Sequence, residues 1–241
     1  MELQDVYIAI HRRYESTNHL LTFGQDIIWR RIAAAEAVRA ARSAIETGSA
    51  GGNGAGPWLD LCSGTGEMAA LVSRMSPAGT TVISADFSIP MLGEGVRRRG
   101  AGKLIPVAAS ADALPFPDSS FGLVTVTFAA RNLRSSGELF AGSLREIRRV
   151  LRPGGVFLNL ETSQPGSMPV RGIVHAYARG VVGRLGKMIT GERDGYAFLS
   201  GSIRSFPGPG ELASEMEEAG FSLVTWKELM FGVAAIHTAI A

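Results

Sequence analysis

Asp60-Leu-Cys-Ser-Gly64-Thr-Gly66 stands between an apolar run that reads as a buried strand, residues 57–62, and a stretch that reads as a helix, residues 67–75. A strand that turns through closely spaced glycines into a helix opens a doubly wound α/β sheet. Glycine lets the chain turn sharply there, and lets a ligand approach the backbone. Asp86 lies 20 residues beyond Gly66, at the end of a second apolar run. A carboxylate at that place can hold the two hydroxyls of a ribose. Gly64 and Gly66 making a plain turn, with Asp86 capping a helix, is the bland alternative. Both features in this context favour a nucleotide-like cofactor.

The remainder of the chain keeps the same rhythm. Strands are expected at residues 80–85, 104–108, 121–128 and 156–160, and helices at 90–99 and 137–151, the last of these ended by Arg152-Pro-Gly-Gly155. Pro and Gly there cannot continue a helix. Alternation of this kind predicts a mostly parallel sheet covered on both faces. Residues 222–228 and 231–240 read as two strands closing the sheet as an antiparallel hairpin, with a short helix at 210–219 before them. Residues 25–47 favour helix, and Ser49-Ala-Gly-Gly-Asn-Gly-Ala-Gly56 breaks it. The expected division is therefore an N-terminal helical appendage with a glycine-rich linker, residues 1–56, and a catalytic domain, residues 57–241. A helical insert at about 165–205 would cover the substrate; within it, residues 168–190 read as one helix.

Composition narrows the classes of function. With 241 residues, 46% of them hydrophobic, the chain can bury one substantial core. A formal net charge of +2 gives no electrostatic footprint for nucleic acid. Cys62 is the only cysteine, so an internal disulfide and a four-cysteine zinc site are both impossible within one chain. No metal site is expected. No run approaches the roughly 18 apolar residues of a membrane-spanning helix, and the N-terminus lacks a signal-peptide pattern. A cytoplasmic protein is expected, with attachment to the inner face of the membrane left open.

Gly64-Thr-Gly66-Glu-Met-Ala69 also satisfies the glycine fingerprint of NAD-type dinucleotides. Asp60 speaks against that cofactor. A carboxylate beneath the loop could pair with an amino group, whereas it would repel a pyrophosphate. Ser110-Ala-Asp-Ala-Leu-Pro-Phe-Pro-Asp-Ser-Ser-Phe121, between the third and fourth strands, is a second discriminator. With it the chain resembles the class I methyltransferases, whose cofactor site joins a glycine loop, a ribose-binding acid and an adenine-binding turn.

Further segments resemble one branch, the ubiquinone/menaquinone biosynthesis C-methyltransferase family. They are Tyr14-Glu-Ser-Thr-Asn18, Leu21-Thr-Phe-Gly24, Trp29-Arg-Arg31, Phe128-Ala-Ala-Arg-Asn132, Arg152-Pro-Gly-Gly155, Tyr196-Ala-Phe-Leu-Ser-Gly-Ser-Ile-Arg204 and Gly232-Val-Ala-Ala-Ile-His237. The resemblance covers nearly the whole chain. It implies a seven-stranded Rossmann-like sheet, S-adenosyl-L-methionine as cofactor and C-methylation of a polyprenylated quinol in respiratory quinone biosynthesis. It also implies a homodimer. The implied cofactor residues are Asp60, Gly64, Thr65, Gly66, Asp86, Phe87, Ser110, Ala111, Asp112 and Thr127. The implied catalytic residues are Arg131 and Asn132, with Tyr14, Tyr196 and His175 secondary. Arg131 would stabilise a phenolate and orient a water that removes a proton, since arginine itself stays protonated. Pairing of Arg131 with a core carboxylate is the plainer alternative.

Overall fold

The computed structural model describes residues 18–48, 56–97, 104–134, 136–182 and 206–241. Tyr14, Tyr196 and the segments 183–190 and 196–204 lie outside the described residues.

Apolar runs with no polar alternation become strands buried on both faces. Strand β1 (Trp58–Leu61) and the first six residues of β4 (Phe121–Thr127) are buried throughout. With β2 (Val82–Asp86), β3 (Leu104–Ala108), β5 (Leu151–Thr162), β6 (Ser222–Leu229) and β7 (Ala234–Ile240) they form one seven-stranded sheet in the order β3-β2-β1-β4-β5-β7-β6. Strands β1 to β5 pair in parallel. Strand β7 pairs antiparallel with both β5 and β6, which lie on either side of it. The expected class, a mostly parallel doubly wound sheet with an antiparallel C-terminal hairpin, is what the chain forms.

Strand β5 begins earlier than the sequence suggests. Leu151 pairs with Phe121, and regular pairing resumes at Leu123 with Val156. Arg152-Pro-Gly-Gly155 forms an irregular stretch between these points. A Cβ on Gly155 would stand 2.8 Å from the Arg152 carbonyl oxygen, so only glycine fits.

Each face of the sheet carries its own helices. Helix α1 (Gln25–Glu46) lays Trp29, Ala33, Ala37 and Ala41 against one face, next to α2 (Glu67–Met75). The alanines let α1 sit close to the strands. On the opposite face α5 (Gly137–Val150) and α7 (Pro209–Glu218) bury Phe140, Leu144, Ile147, Leu212 and Met216. Truncating one of these side chains, such as Ile147 to alanine, costs about 2–5 kcal/mol. Helix α3 (Ile89–Arg97) follows β2, and the short α4 (Ala130–Leu133) follows β4. The described part of the expected helix at 168–190 is α6 (Met168–Tyr177) followed by a π-helical turn, Ala178–Val182. Strand order reverses beside β1, where β2 leads one way and β4 the other. The crevice at the carboxyl ends of these strands is where open α/β sheets bind ligands.

Candidate cofactor and acceptor site

The glycine loop follows β1 through alternating left-handed residues: Cys62 at φ 54°, Gly64 at φ 56° and Gly66 at φ 75°. Gly66 also packs against α3, where an added Cβ would meet the Gly95 Cα at 3.4 Å. The Ser63 amide donates to the Ala85 carbonyl at 3.0 Å, and the Ser63 and Ser84 hydroxyls lie 2.6 Å apart. The first half of the loop is thus tied to β2. Thr65 is buried within it.

Two carboxylates lie beneath and beside this loop. Asp60, 1% exposed, accepts from the Ala69 amide at 2.9 Å and from the Thr125 hydroxyl at 2.8 Å. Gly66 has no side chain to cap α2, so Asp60 supplies the acceptor for one free N–H of its first turn. Burial pushes the Asp60 carboxyl up to about 7, against the pull of those two bonds. Asp86 accepts from the Gly64 amide and the Ser88 amide, both at 2.8 Å. Burial raises its pKa also, opposed by the same amides. Phe87, 40% exposed, follows it and offers an apolar face.

The segment after β3 is held by a pair that the sequence did not reveal. Glu146 on α5 accepts from the Leu114 amide at 2.8 Å, while Arg149 donates to the carbonyls of Leu114 and Phe116 and to Asp118. Hydrogen bonding to Arg149 keeps the Glu146 carboxyl below its ordinary value. Within the turn the Ser110 hydroxyl donates to Asp112, and Ala111 is buried. Ser110, Asp112 and Phe87 thereby stand at the ends of adjacent strands β3 and β2.

Strand β4 ends at Thr127 and turns through Phe128, itself left-handed at φ 56°. Helix α4 then carries Arg131, 7% exposed. Its guanidinium donates to the Thr162 hydroxyl at 2.8 Å and lies 3.6 Å from Glu161 Oε1. Its backbone amide donates to Glu161 Oε2 at 3.1 Å. The Arg131 Nε is buried with no hydrogen-bond partner among the described residues. Arg131 therefore does pair with a core carboxylate, yet keeps one donor unused. Sequence reasoning missed Glu161, because the expected strand stopped at Leu160. Asn132, half-buried, follows Arg131 on the same helix. His175 on α6 pairs with Gln164 at 2.9 Å, with no bond to Arg131 or the glycine loop among the described residues.

The residues at the crevice suit a ligand with a cationic amino group and a ribose. A pyrophosphate beside the glycine loop would lie over the buried Asp60 carboxylate and be repelled when that group is ionised. The model of the ubiE/COQ5 methyltransferase family matches residues 1–241, the whole chain. The chain belongs to the ubiE/COQ5 methyltransferase family. A demethylmenaquinone methyltransferase of Mycobacterium marinum is 34% identical over 236 residues, covering 98% of this chain and 92% of that one. The ubiquinone/menaquinone biosynthesis C-methyltransferase of Salmonella paratyphi B is 34% identical over 237 residues, 96% of this chain and 87% of that one. A solved structure described as a SAM-dependent methyltransferase from Aquifex aeolicus superposes with a TM-score of 0.54 at 15% identity, covering 83% of this chain and 88% of that one, and shares the fold. The sequence expectation of a methyltransferase using S-adenosyl-L-methionine is borne out by this membership.

Proposed function

We propose that this ubiE/COQ5-family methyltransferase moves a methyl group from S-adenosyl-L-methionine to a ring carbon of a polyprenylated quinol, with a demethylmenaquinol as acceptor and a ubiquinol precursor as the second choice. The observation that carries the reading is Arg131: a buried guanidinium with a spare Nε–H, at the turn after β4, on the far side of Asp60 and Thr125 from the ribose acid. The names of the relatives support a quinone acceptor.

The cofactor is S-adenosyl-L-methionine, whose sulfonium makes its methyl carbon electrophilic. The chain's residues then do the following. Asp60 pairs with the amino group, Asp86 takes the ribose hydroxyls, and Phe87 with Ser110, Ala111 and Asp112 holds the adenine. Gly64, Thr65 and Gly66 let the backbone lie against the ligand, and Thr127 borders the reacting centre. A ring carbon becomes nucleophilic when its neighbouring hydroxyl loses a proton. The Arg131 cation would favour that phenolate, the hydroxyl proton passing to solvent, and would orient the water that takes the ring proton, while Asn132 would bind the acceptor oxygen. Glu161 and Thr162 keep the guanidinium in place. Tyr14, Tyr196 and His175 are the remaining proton-carrier candidates.

A lipid acceptor requires a route from the bilayer. Among the described residues no helix is long and apolar enough to cross a membrane. Peripheral contact at the inner face, by a homodimer, belongs to the same proposal. Exposed Met168 and Ile173 with Arg171 and Arg179 on the segment after β5 suit such a contact. The test is incubation with methyl-labelled S-adenosyl-L-methionine and separate acceptors: a demethylmenaquinol, a ubiquinol precursor and soluble phenols. Label in a quinol ring is expected. Label only in a soluble phenol, or cofactor binding with no transfer, overturns the reading.

A further inference from the structure

The segment before α1 is tied down on both sides of the crevice, and the chemistry outlined above gives it no part. Residues 18–21 form one helical turn, and the Gly24 amide donates back to the His19 carbonyl at 2.7 Å. Phe23 and Gly24 then lead the chain into α1 with left-handed backbones, at φ 51° and 73°. Leu21 is buried, whereas Leu20 and Phe23 are exposed.

On one side the segment is joined to the exit of the glycine loop. His19 Nδ1 meets Asp26 Oδ2 at 2.8 Å, and His19 Nε2 stands 3.4 Å from Glu67 Oε1. Glu67 is the first residue of α2, directly after Gly66. Arg30 joins the same two side chains, at 2.6 Å from Asp26 Oδ2 and 3.2 Å from Glu67 Oε2. The Thr22 hydroxyl donates to Asp26 at 2.7 Å. On the other side the segment is joined to α6. The Tyr177 hydroxyl donates to the Leu21 carbonyl at 2.7 Å, and its ring lies 5.9 Å from that of Phe23. Helix α6 is itself fixed beside the end of β5, by His175 on Gln164 and by Arg171 on the Pro165 carbonyl, both at 2.9 Å.

In the sheet, β4 lies between β1 and β5. Helix α2 follows β1, and α6 follows β5. A segment bonded to the first residue of α2 and to the last of α6 therefore bridges the carboxyl end of β4, where Thr127 and the turn to Arg131 stand. Helix α1 packs on that same turn: Arg30 Cζ lies 4.8 Å from the centre of the Phe128 ring, and the Trp29 ring 6.4 Å from it.

We propose that residues 18–24 are a strap across the methyl-transfer crevice, latched to the glycine loop by His19 and to α6 by Tyr177, and that cofactor enters and leaves when the strap lifts. The inference rests on the placement of the cofactor against the glycine loop given above. The left-handed pair Phe23-Gly24 is the hinge. A closed strap keeps water from the reacting centre and retains the cofactor until the acceptor arrives.

Exchange kinetics test it: release is followed by chasing labelled S-adenosylhomocysteine with unlabelled ligand, and capture by rapid mixing. Tyr177→Phe removes the hydroxyl that holds Leu21 and keeps the ring against Phe23. Release and capture should both become about tenfold faster, the worth of one hydrogen bond, with affinity changed by less than about threefold. His19→Ala should act in the same direction. Phe23→Cys with Tyr177→Cys, joined by a cleavable bifunctional thiol reagent, should exchange about tenfold more slowly than the same variant before linking, and cleavage of the linker should restore the rate. Each single cysteine variant treated with the reagent controls for Cys62, the only native cysteine. Faster release with affinity lost by the same factor would mean that these residues support the cofactor site directly, and overturns the proposal. Unchanged exchange in Tyr177→Phe, or in the linked protein, overturns it too, as does a lower melting temperature without faster exchange. Asp86→Ala separates the two readings. If S-adenosylhomocysteine affinity is unchanged there, the placement of the cofactor fails, and the strap with it. If Asp86→Ala weakens binding while the strap variants and the linked protein exchange at the unaltered rate, the strap alone fails.

Discussion

Asp60 carries a cost to the ligand-free protein. Its ordinary pKa of 3.8 is raised to about 7 by burial, so the protonated form is the one that folding favours. The sign follows from linkage. Below the unfolded value both states hold the proton and the site is neutral in effect. As pH climbs from about 4 to about 7 the unfolded chain loses the proton first, and stability falls. Asp60→Asn cannot ionise and escapes this loss. Denaturant melts near pH 8 should show that variant more stable than the unaltered protein, on the order of 2 kcal/mol, with the gap closing near pH 4. Cofactor affinity should fall in the same variant; equal melts at both pH values would mean that Asp60 ionises freely. Arg131 makes the opposite case. Cutting it to alanine strands the buried Glu161, a loss of about 3–5 kcal/mol of stability that would obscure any effect on catalysis. Arg131→Lys keeps the charge but has no Nε–H beside a planar fork. Turnover is expected to drop about 100-fold with S-adenosylhomocysteine affinity nearly unchanged, as for loss of one preorganised donor. Full turnover in Arg131→Lys would reduce the side chain to scaffold.

At the scale of elements, the loop and the helix beneath it act as a matched pair. Gly66 and Gly95 face each other, and a Cβ on Gly95 would lie 3.3 Å from both the Thr65 carbonyl carbon and its oxygen. Alanine is the better helix former by about 1 kcal/mol, so Gly95→Ala should leave the melting temperature near its original value. The methyl must nonetheless push the loop outward, and cofactor affinity should drop by about tenfold or more. Unchanged affinity would show that the loop has room to spare. Helix α2 was legible to the residue because glycines precede it and Ser76-Pro77 follows it, both strong local signals. The start of β5 was not. Arg152-Pro-Gly-Gly155 looks like a full stop, yet its neighbours Leu151 and Val156 find Phe121 and Leu123 across the sheet, a long-range pairing that no local pattern encodes. The same reason hides the supports of the site. Asp60, Asp86 and Arg131 announce themselves by their places at or just beyond the carboxyl ends of strands. Glu161 and Glu146 look like ordinary charged residues of a strand and a helix until folding brings residues some 30 positions away onto them.

Across the whole molecule, the carboxyl edge of the sheet gathers large apolar side chains in water. Phe23 is 78% exposed, Met168 81% and Phe231 83%. Phe23 and Phe231 hold left-handed backbones at φ 51° and 58°. Tyr177 bonds the Leu21 carbonyl at 2.7 Å and its ring lies 5.9 Å from that of Phe23, so the segment before α1 and helix α6 meet here. If this edge is the proposed membrane contact, co-sedimentation with anionic vesicles should weaken about tenfold on replacing Phe23 and Phe231 by serine. It should also weaken in high salt through Arg171 and Arg179. Unaltered binding in that double variant would transfer the patch to a protein interface, which analytical sedimentation of the protein without vesicles would reveal. The strand order has a further consequence, for the chain as it leaves the ribosome. Strand β6 is made before β7 but, among the described residues, pairs with no strand other than β7. Once synthesis has passed Leu229, β6 must wait, and the flank of β5 from Val156 to Thr162 stays an unpaired edge. Such an edge recruits strands from other chains. The interval before Ala234–Ile240 emerges and slides between them is therefore when a nascent chain of this protein most needs a chaperone.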